Sequence, residues 1–521
     1  MKNIQLLISF ILYTVAFFIL FPYNRFNIDA DGIAYIQEAR QYVWGNYFTA
    51  LNGCWSPLIS WILIPFLKLG IDPVLCCKYI NGVLGAASLF SFYSLTQKFY
   101  INSKIKVLIP FIFTAFTLAS AFKLLGPDVL QTFLLSIYLN VIFSKHFIYS
   151  NKSLILCGLA GALCYYAKAY NFFFFILHIS VVLFILCKKV KPHNSLKFYL
   201  SRMMVVFIAF VVFTSPYIIL LTYKYKKFTI SSASLITINK SLEPSYTDGR
   251  KLVVLPPNPY GLSISDDPTY FQKKYITPLT SSKYFFKQIK ITLWNIIDFF
   301  RILNEISIFS ITILLTFCIY LYYRYERNWQ PNEIILLTTT ILYPSGYLLI
   351  ALEWRYIWLI PVMLLLMASI ILSKVSLITK QKQKSILKFI TPIILLSFLL
   401  KPIKEMRENI TNKTDVYNAA KALKLNGITG NFFAPNSTYL NNHSNYFFCY
   451  LNNLKMYGLY TTDYTTSEIL VAAMKYHVKY FFSYYQTPAE KEYILKSDLA
   501  TNSIKVFDSI YPGIIVFQLI K

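Results

Sequence analysis

The stretch NIDADGIAYIQEARQYVWGNYFTALNGCWSPL, residues 27–58, directly follows a hydrophobic N-terminal segment. It brings together three acids, Asp29, Asp31 and Glu38, in a chain whose other segments are mostly apolar. Apolar residues recur at helical spacing from Asp31 onward, which predicts a helix ending near Gly45. Acids at a helix start are stabilised by the helix dipole, so the simplest role for Asp29 or Asp31 is an N-cap.

The composition indicates a protein with many membrane spans. The chain has 521 residues, of which 56% are hydrophobic and only 14% are charged, whereas soluble domains carry about 25% charged residues. The segment 4–23 has no small-residue cleavage site, so it predicts a retained anchor. The run 56–70 is too short to cross and predicts an interfacial or re-entrant helix. About eleven transmembrane helices are expected, at 4–23, 73–96, 107–122, 129–143, 154–167, 172–187, 203–221, 306–323, 334–352, 357–372 and 386–400.

The formal net charge is +27, and the positions of the basic residues are informative about the membrane topology. If the N-terminus is cytoplasmic, every connection on the cytoplasmic side is basic and holds almost no acids, as the positive-inside rule requires, so much of the basic excess is a topology signal. No compact basic domain remains, so nucleic-acid binding is not expected. The eight cysteines lie mostly in apolar runs, and the five histidines are scattered, so neither a disulfide framework nor a zinc site is predicted.

The chain divides into two predicted domains. Residues 1–401 form the membrane domain, in which 24–72 is the first external loop and 223–303 is a large external loop. That larger loop contains VVLPPNPYGLSISDDPTY, whose prolines predict irregular structure, and an amphipathic helix at 282–303. Residues 402–521 predict a small extracytoplasmic α/β domain, with a helix ending at Gly427 and a capping box at Thr465 and Glu468. Its roughly 120 residues suffice for a core.

The first loop carries a recognisable pattern, D-x-D-G-x-x-Y-x-x-x-A, which begins at Asp29 and is followed by WSPL at 55–58. This pattern resembles the first external loop of GT-C glycosyltransferases, and more closely the branch of protein O-mannosyltransferases and bacterial aminoarabinose transferases. By its spacing to Tyr35 and Ala39, Asp31 matches the family's loop aspartate. The second acid of the family pair is replaced here by Gly32, and Asp29 is the substitute.

Two further segments support the resemblance. LLGPDVLQTFLLSIYLN places Asp128 where the family has an acid at the start of an early span, and EWRYIWLIP resembles a segment that opens a late span. The resemblance covers the membrane part, whereas the tail matches only in general architecture.

The resemblance implies a membrane glycosyltransferase with a polyprenyl-phosphate sugar donor. The acceptor would be a glycan, lipid or protein, and transfer would occur on the extracytoplasmic side of a bacterial inner membrane. Asp31 is expected to be the general base of an inverting displacement, with Asp29 as the second catalytic candidate. The expected substrate-binding residues are Asp128, Lys123, Lys168, Glu353, Arg355, Tyr356 and Trp55.

Structural roles compete with each of these assignments. Lys123 and Lys168 could snorkel to the interface, and Glu353 with Arg355 could form a structural ion pair. Trp44 and Trp55 are better explained by the aromatic belt than by sugar stacking. The scheme requires no metal, although a divalent ion on Asp29, Asp31 and Asp128 is the alternative.

Three rival function classes remain open on the sequence, and one of them is a structural or sensor protein whose tail binds a partner. A transporter or flippase of lipid-linked sugars predicts internal repeats and helices broken at mid-membrane, and no repeat is visible. A polymerase or ligase of surface glycans would also use polyprenyl-linked donors, but an aspartate directly after the first span favours the GT-C interpretation.

Overall fold

The computed structural model describes residues 4–190, 195–243, 253–271, 276–378, 381–410, 414–435, 439–459, 465–509 and 513–519. The helices of the membrane part are α1 (Ile4–Asn24), α2 (Ala30–Val43), α3 (Tyr47–Ala50), α4 (Leu58–Lys68), α5 (Pro73–Thr96), α6 (Ser103–Lys123), α7 (Asp128–Ile142), α8 (Asn151–Ala167), α9 (Asn171–Val190), α10 (Ser195–Tyr225), α11 (Ala233–Leu242), α12 (Ser282–Ile306), α13 (Ser310–Asn328), α14 (Pro331–Ile350), α15 (Leu359–Ile378), α16 (Gln381–Leu396) and α17 (Leu400–Asn409). The remaining elements are β1 (Val253–Val254), α18 (Thr414–Leu425), β2 (Asn431–Pro435), α19 (Tyr439–Asn452), β3 (Lys455–Leu459), α20 (Thr466–Tyr476), β4 (Tyr480–Tyr484), α21 (Pro488–Leu495), α22 (Asp498–Thr501), β5 (Ser503–Ser509) and β6 (Ile514–Leu519).

The helical membrane architecture expected from the sequence is confirmed. Within the described ranges, eight helical segments are long and apolar enough to span a membrane, and a ninth forms if α12 and α13, which meet at 99°, count as one broken span. The other two of the eleven predicted spans correspond to α7 and α8, which have 15 and 17 residues. These two helices are shorter than the roughly 20 residues that cross the hydrocarbon core.

Local chemistry explains where α2 begins and ends. The Asp29 side chain accepts a hydrogen bond from the Gly32 amide at 2.7 Å, which caps the first turn. The helix therefore begins at Ala30, one residue before the predicted start. It ends at Val43, and Gly45 then adopts a φ of +80° that glycine accommodates without steric cost.

The two ends of the helix bundle differ in character. At one end, the termini of α1, α6, α8 and α14 meet α2 and the starts of α7 and α15; we call this the cavity end. The opposite end holds the basic connections. There, the Asn102 amide donates to Ser373 Oγ at 2.8 Å and Arg202 donates to Asn151 at 2.9 Å.

The C-terminal region is an α/β domain built on a six-stranded sheet with the order β1-β3-β2-β4-β6-β5. Strands β3, β2 and β4 run parallel, and β6 and β5 add antiparallel strands at one edge. The opposite edge is β1, which comes from the loop between α10 and α12 and pairs antiparallel with β3. The sheet is therefore completed by a strand from outside the predicted 402–521 domain.

A junction of buried polar groups joins the first loop to the segment between α10 and α12. The Asn52 side chain donates to the Asp266 carbonyl at 2.7 Å. Lys224 at the end of α10 forms a salt bridge with Asp267 at 3.1 Å, in which the two side chains are 2% and 3% exposed. Tyr225 also donates to Asp267 at 2.8 Å. We call Asn52, Lys224, Tyr225, Asp266 and Asp267 the loop junction.

Candidate active site

A cavity of about 380 Å³ lies at the cavity end of the bundle, bounded by α2, the α8–α9 connection, α11 and the α14–α15 connection. It meets the size range of small-molecule sites. Its walls combine charged and aromatic side chains from distant parts of the sequence. The lining includes Asp31, Tyr35, Trp55, Asp128, Lys168, Tyr170, Lys240, Tyr347, Glu353, Arg355, Tyr356 and Tyr446.

Arg355 links two of the predicted acids in the cavity wall. Its Nη2 lies 2.7 Å from Asp31 Oδ2, and its Nε lies 2.7 Å from Glu353 Oε2. The Asp31 side chain is 32% exposed, so it faces the cavity while paired. Among the described residues, Oδ2 is the oxygen of Asp31 that a side chain engages, and Oδ1 has no partner.

The second charged pair joins the start of α7 to the end of α8. Lys168 Nζ lies 2.7 Å from Asp128 Oδ1, and the Asp128 side chain is only 4% exposed. Burial lowers the pKa of Lys168, and the Asp128 charge opposes that change. The Lys168 ammonium also sits 4.0 Å from the centre of the Tyr356 ring, a cation–π contact.

Asp29 occupies a different environment from Asp31. Oδ2 accepts a hydrogen bond from the Gly32 amide and Oδ1 accepts one from the Leu125 amide, both at 2.7 Å. Desolvation raises the pKa of Asp29, helped by the Asp31 charge, while the two amides lower it. Because both oxygens are occupied by backbone donors and the side chain is not in the cavity wall, this geometry makes Asp29 a cap that fixes α2 against the α6–α7 connection.

Two more predicted residues reach different places. Lys123 is separated from the cavity and pairs with Glu405 of α17 at 3.3 Å. Trp55 lines the cavity, where its Nε1 donates to the Ser265 carbonyl at 2.9 Å and its ring meets Tyr35 edge-on. Trp44, by contrast, is 52% exposed and is not among the residues that line the cavity.

The sequence interpretation missed Lys240 and Tyr446. Lys240 lies in α11 and lines the cavity, and no described residue forms an ion pair with it. Tyr446 comes from α19 of the C-terminal domain and donates a hydrogen bond to Asp266. Neither stands in a motif, although the helical spacing of Ile236 and Lys240 would have placed both on one face.

The donor set does not fit a divalent ion. Asp31 and Asp128 are each paired with a cation already, Arg355 and Lys168 respectively. Within the described ranges, no three metal-ligating side chains converge on one point. A hard cation needs several oxygen ligands free to coordinate it, and these two carboxylates are already neutralised by side-chain cations.

The helical arrangement, the long first loop and the cavity beneath a C-terminal α/β domain define a membrane protein with the GT-C fold. Among solved structures, the chain is similar to the apo oligosaccharyltransferase of Archaeoglobus fulgidus, with a TM-score of 0.57 and 11% identity over 93% of this chain and 69% of that one. It is similar also to ArnT from Cupriavidus metallidurans bound to undecaprenyl phosphate, with a TM-score of 0.57 and 9% identity over 99% of this chain and 98% of that one. The archaeal enzyme AglB in complex with an inhibitory peptide and a dolichol-phosphate gives a TM-score of 0.56 at 11% identity, over 93% of this chain and 69% of that one.

No family model matches the sequence, and no curated protein matches it. The likeness to known proteins is therefore one of fold. It agrees with the GT-C fold expected from the Asp31, Asp128 and Arg355 motifs.

Proposed function

We propose that the chain is a glycosyltransferase that moves a sugar from a polyprenyl-phosphate donor to an acceptor on the extracytoplasmic side of a bacterial inner membrane. The acceptor is a glycan, a lipid or a protein. Two of the similar structures hold a polyprenyl phosphate or a dolichol-phosphate, which supports a lipid-phosphate donor here. The N-terminus is then cytoplasmic and the C-terminal domain extracytoplasmic, in agreement with the basic connections at the opposite end of the bundle.

One observation carries the proposal: a partly exposed carboxylate and three cations line the same cavity. Asp31, which is 32% exposed, lines the cavity together with Lys168, Arg355 and Lys240. Transfer from a sugar phosphate needs a base for the acceptor and positive charge near the departing phosphate. The cavity supplies both within about 380 Å³.

The reaction is a single displacement at the anomeric carbon. The acceptor hydroxyl oxygen forms a bond to that carbon as its proton passes to Asp31. The bond from the anomeric carbon to the phosphate oxygen breaks, and its electron pair leaves with the polyprenyl phosphate. Attack from the face opposite the phosphate inverts the configuration of the sugar. Glu353 and Tyr356 hold Arg355 in place, because Tyr356 donates to Glu353 at 3.2 Å.

The balance of charge favours a donor with a single phosphate. The ion pairs of the wall join Asp31 and Glu353 to Arg355 and Asp128 to Lys168, and Lys240 lines the same cavity without an ion-pair partner among the described residues. Because the acids already pair with Arg355 and Lys168, Lys240 is the cation available to new negative charge. A sugar–phosphate–lipid diester carries one negative charge, which Lys240 neutralises. A diphosphate would leave a second charge uncompensated, at a cost in a partly buried site.

The test is transfer by the full chain in nanodiscs, with radiolabelled sugar phosphates of a bacterial polyprenol and with membrane extracts as acceptors. We expect Asp31→Asn to lower the transfer rate by about 10²- to 10⁴-fold, the range a general base contributes. Binding of the donor should persist. The matched control is Asp72→Asn, since Asp72 is an exposed N-cap of α5 that accepts the Leu75 amide at 2.9 Å and asparagine caps equally well.

Two outcomes would contradict the proposal. Undiminished transfer by Asp31→Asn removes Asp31 as the base. Movement of intact lipid-linked sugar across the bilayer, without formation of a glycosylated product, would favour the flippase class.

A further inference from the structure

Arg355 lies in a short turn, and buried side chains of the helix bundle hold that turn in position. The segment Trp354–Ile357 forms a single 3₁₀ turn between α14 and α15. Within it, the Tyr356 amide donates to the Glu353 carbonyl at 3.0 Å. The Tyr343 hydroxyl of α14 donates to the Tyr356 carbonyl at 2.8 Å. This hydroxyl is a side-chain anchor that ties the turn to a spanning helix.

The same hydroxyl is held on its other side by α7. Gln131 Nε2 donates to Tyr343 Oη at 3.0 Å and to Tyr347 Oη at 3.3 Å. Gln131 and Tyr343 are each 1% exposed, so both are fixed by packing. Gln131 stands one helical turn after Asp128 on α7. Two successive hydrogen bonds, from Gln131 to Tyr343 and from Tyr343 to the Tyr356 carbonyl, therefore connect the helix that carries Asp128 to the turn that carries Arg355.

An aromatic stack fixes the turn from a second direction. The rings of Tyr170 and Tyr347 are stacked with centroids 3.7 Å apart, and those of Tyr347 and Tyr356 with centroids 5.1 Å apart. Gly346 permits this stack, since a Cβ there would lie 2.7 Å from Tyr170 Cε2. Tyr170 is two residues after Lys168, so the stack joins the Lys168 connection to the Arg355 turn.

We propose that Tyr343 is a positioning residue that, with Gln131 and the stack of Tyr170, Tyr347 and Tyr356, sets where Arg355 and Lys168 stand in the cavity. The inference rests on the proposed function for its effect on the donor, but the placement of the turn is a property of the fold. Tyr343 is buried and is not among the residues that line the cavity. Its effect is selective for the donor phosphate, because the two cations that it positions face that group.

Hydrogen–deuterium exchange tests the placement without any substrate. We expect Tyr343→Phe in nanodiscs to raise the exchange rate of the amides at 354–357 by about fivefold, as expected for one lost hydrogen bond of ordinary strength. The control is Tyr138→Phe, which removes an equally buried hydroxyl bound to His178 at 2.7 Å away from the turn. Unchanged exchange at 354–357 in Tyr343→Phe, or an equal rise in the control, overturns the proposal.

Kinetics test the consequence for the donor. We expect Tyr343→Phe to raise the KM for the lipid donor on the order of tenfold, since small misplacements of binding groups have large effects. The KM for the acceptor should not change, and the loss of thermal stability should match that of Tyr138→Phe. Equal effects on both KM values would overturn the selective role. Wild-type protein that neither binds nor uses the donor would refute the proposed function, while the exchange result would still judge the positioning.

A second variant reaches the turn without removing a polar group. Gly346→Ala forces the Tyr170 ring away from the stack, so the same rise in exchange at 354–357 is expected. Its matched control is Gly82→Ala, where a Cβ would meet the Phe17 ring at 2.5 Å, and neither Gly82 nor Phe17 lines the cavity. Faster exchange after Gly82→Ala to the same degree would show that the turn responds to any packing defect and would refute the positioning role.

Discussion

The loop junction and the cavity wall are both built from ion pairs, yet they differ in how their atoms are satisfied. In the loop junction, Lys224 and Asp267 are almost fully buried, and Lys224 also donates to the carbonyls of Thr49 and Leu51. In the cavity wall, Asp31 and Arg355 are 32% and 18% exposed. A charge whose hydrogen-bonding capacity is used internally serves structure, whereas one that keeps capacity facing a cavity is available for chemistry.

The sharpest way to break this comparison is to remove one cation from each pair. Lys224→Met should destabilise the protein by about 3–5 kcal/mol, because it leaves the Asp267 charge buried without its partner. Arg355→Met should cost under about 1 kcal/mol, because Asp31 can be solvated from the cavity. Chemical denaturation in detergent micelles measures both. Similar losses in the two variants would show that exposure does not separate the pairs.

The pH dependence of stability sharpens the comparison within the loop junction. Burial raises the pKa of Asp266 from 3.8 to about 6, against the hydrogen bond from Tyr446. The folded protein thus holds this proton more tightly than the unfolded chain. The resulting stability, on the order of 3 kcal/mol, is present below about pH 4 and is lost as the pH rises through about 6.

We therefore expect the thermal midpoint of Asp266→Asn to change less between pH 4 and pH 7 than the midpoint of the wild type does. The measurement is a series of thermal unfolding curves for both proteins at matched ionic strength. Parallel curves across this range would mean that Asp266 does not titrate there.

A smaller effect distinguishes Asp29 from Asp31. Asp29→Asn keeps one carbonyl oxygen but cannot accept both the Gly32 and Leu125 amides, so we expect a loss of about 1–2 kcal/mol in stability. Asp31→Asn should leave stability nearly unchanged while it abolishes most of the transfer. Stability and rate measured on the same preparations test the assignment. A larger stability loss for Asp31→Asn than for Asp29→Asn would reverse the two roles.

The smallest expected effect concerns divalent metal. Because Lys168 and Arg355 already neutralise Asp128 and Asp31, transfer should stay within about twofold after treatment with EDTA, since no free oxygen cage is offered to a hard cation. The measurement compares rates before and after chelation and after Mg²⁺ or Mn²⁺ is added back. A loss that the added metal restores would mean that the carboxylates exchange their cations for a metal ion.

The sequence predicted correctly those elements that depend on residues close together in the chain. Apolar runs of about 20 residues predicted the spans, and Thr465 with Glu468 predicted a capping box that is present. The pairings across the site are not local. Asp29 accepts a hydrogen bond from the amide of Leu125, 96 residues away, and no pattern near Asp29 predicts that contact. Spacing alone therefore could not separate the cap from the open carboxylate.

Other misses have the same origin. Lys123 was expected to be one of the cations of the cavity. Its partner is Glu405 of α17, which lies far along the chain and could not be identified from the local sequence. Strand β1 has only two residues and precedes consecutive prolines, so its β character depends on pairing with β3. Lys240 could be found only once α11 was placed against the cavity.

The origin of β1 has a consequence for how this protein can be dissected. At the far edge of the sheet, β5 carries Lys505 and an irregular register between Lys505 and Phe507, devices that discourage edge-to-edge association. At the β3 edge, β1 pairs with Gly458 and Leu459 instead. A fragment cut at residue 402 would expose those backbone groups as a template for intermolecular strand addition, so the tail should self-associate when severed from the membrane part.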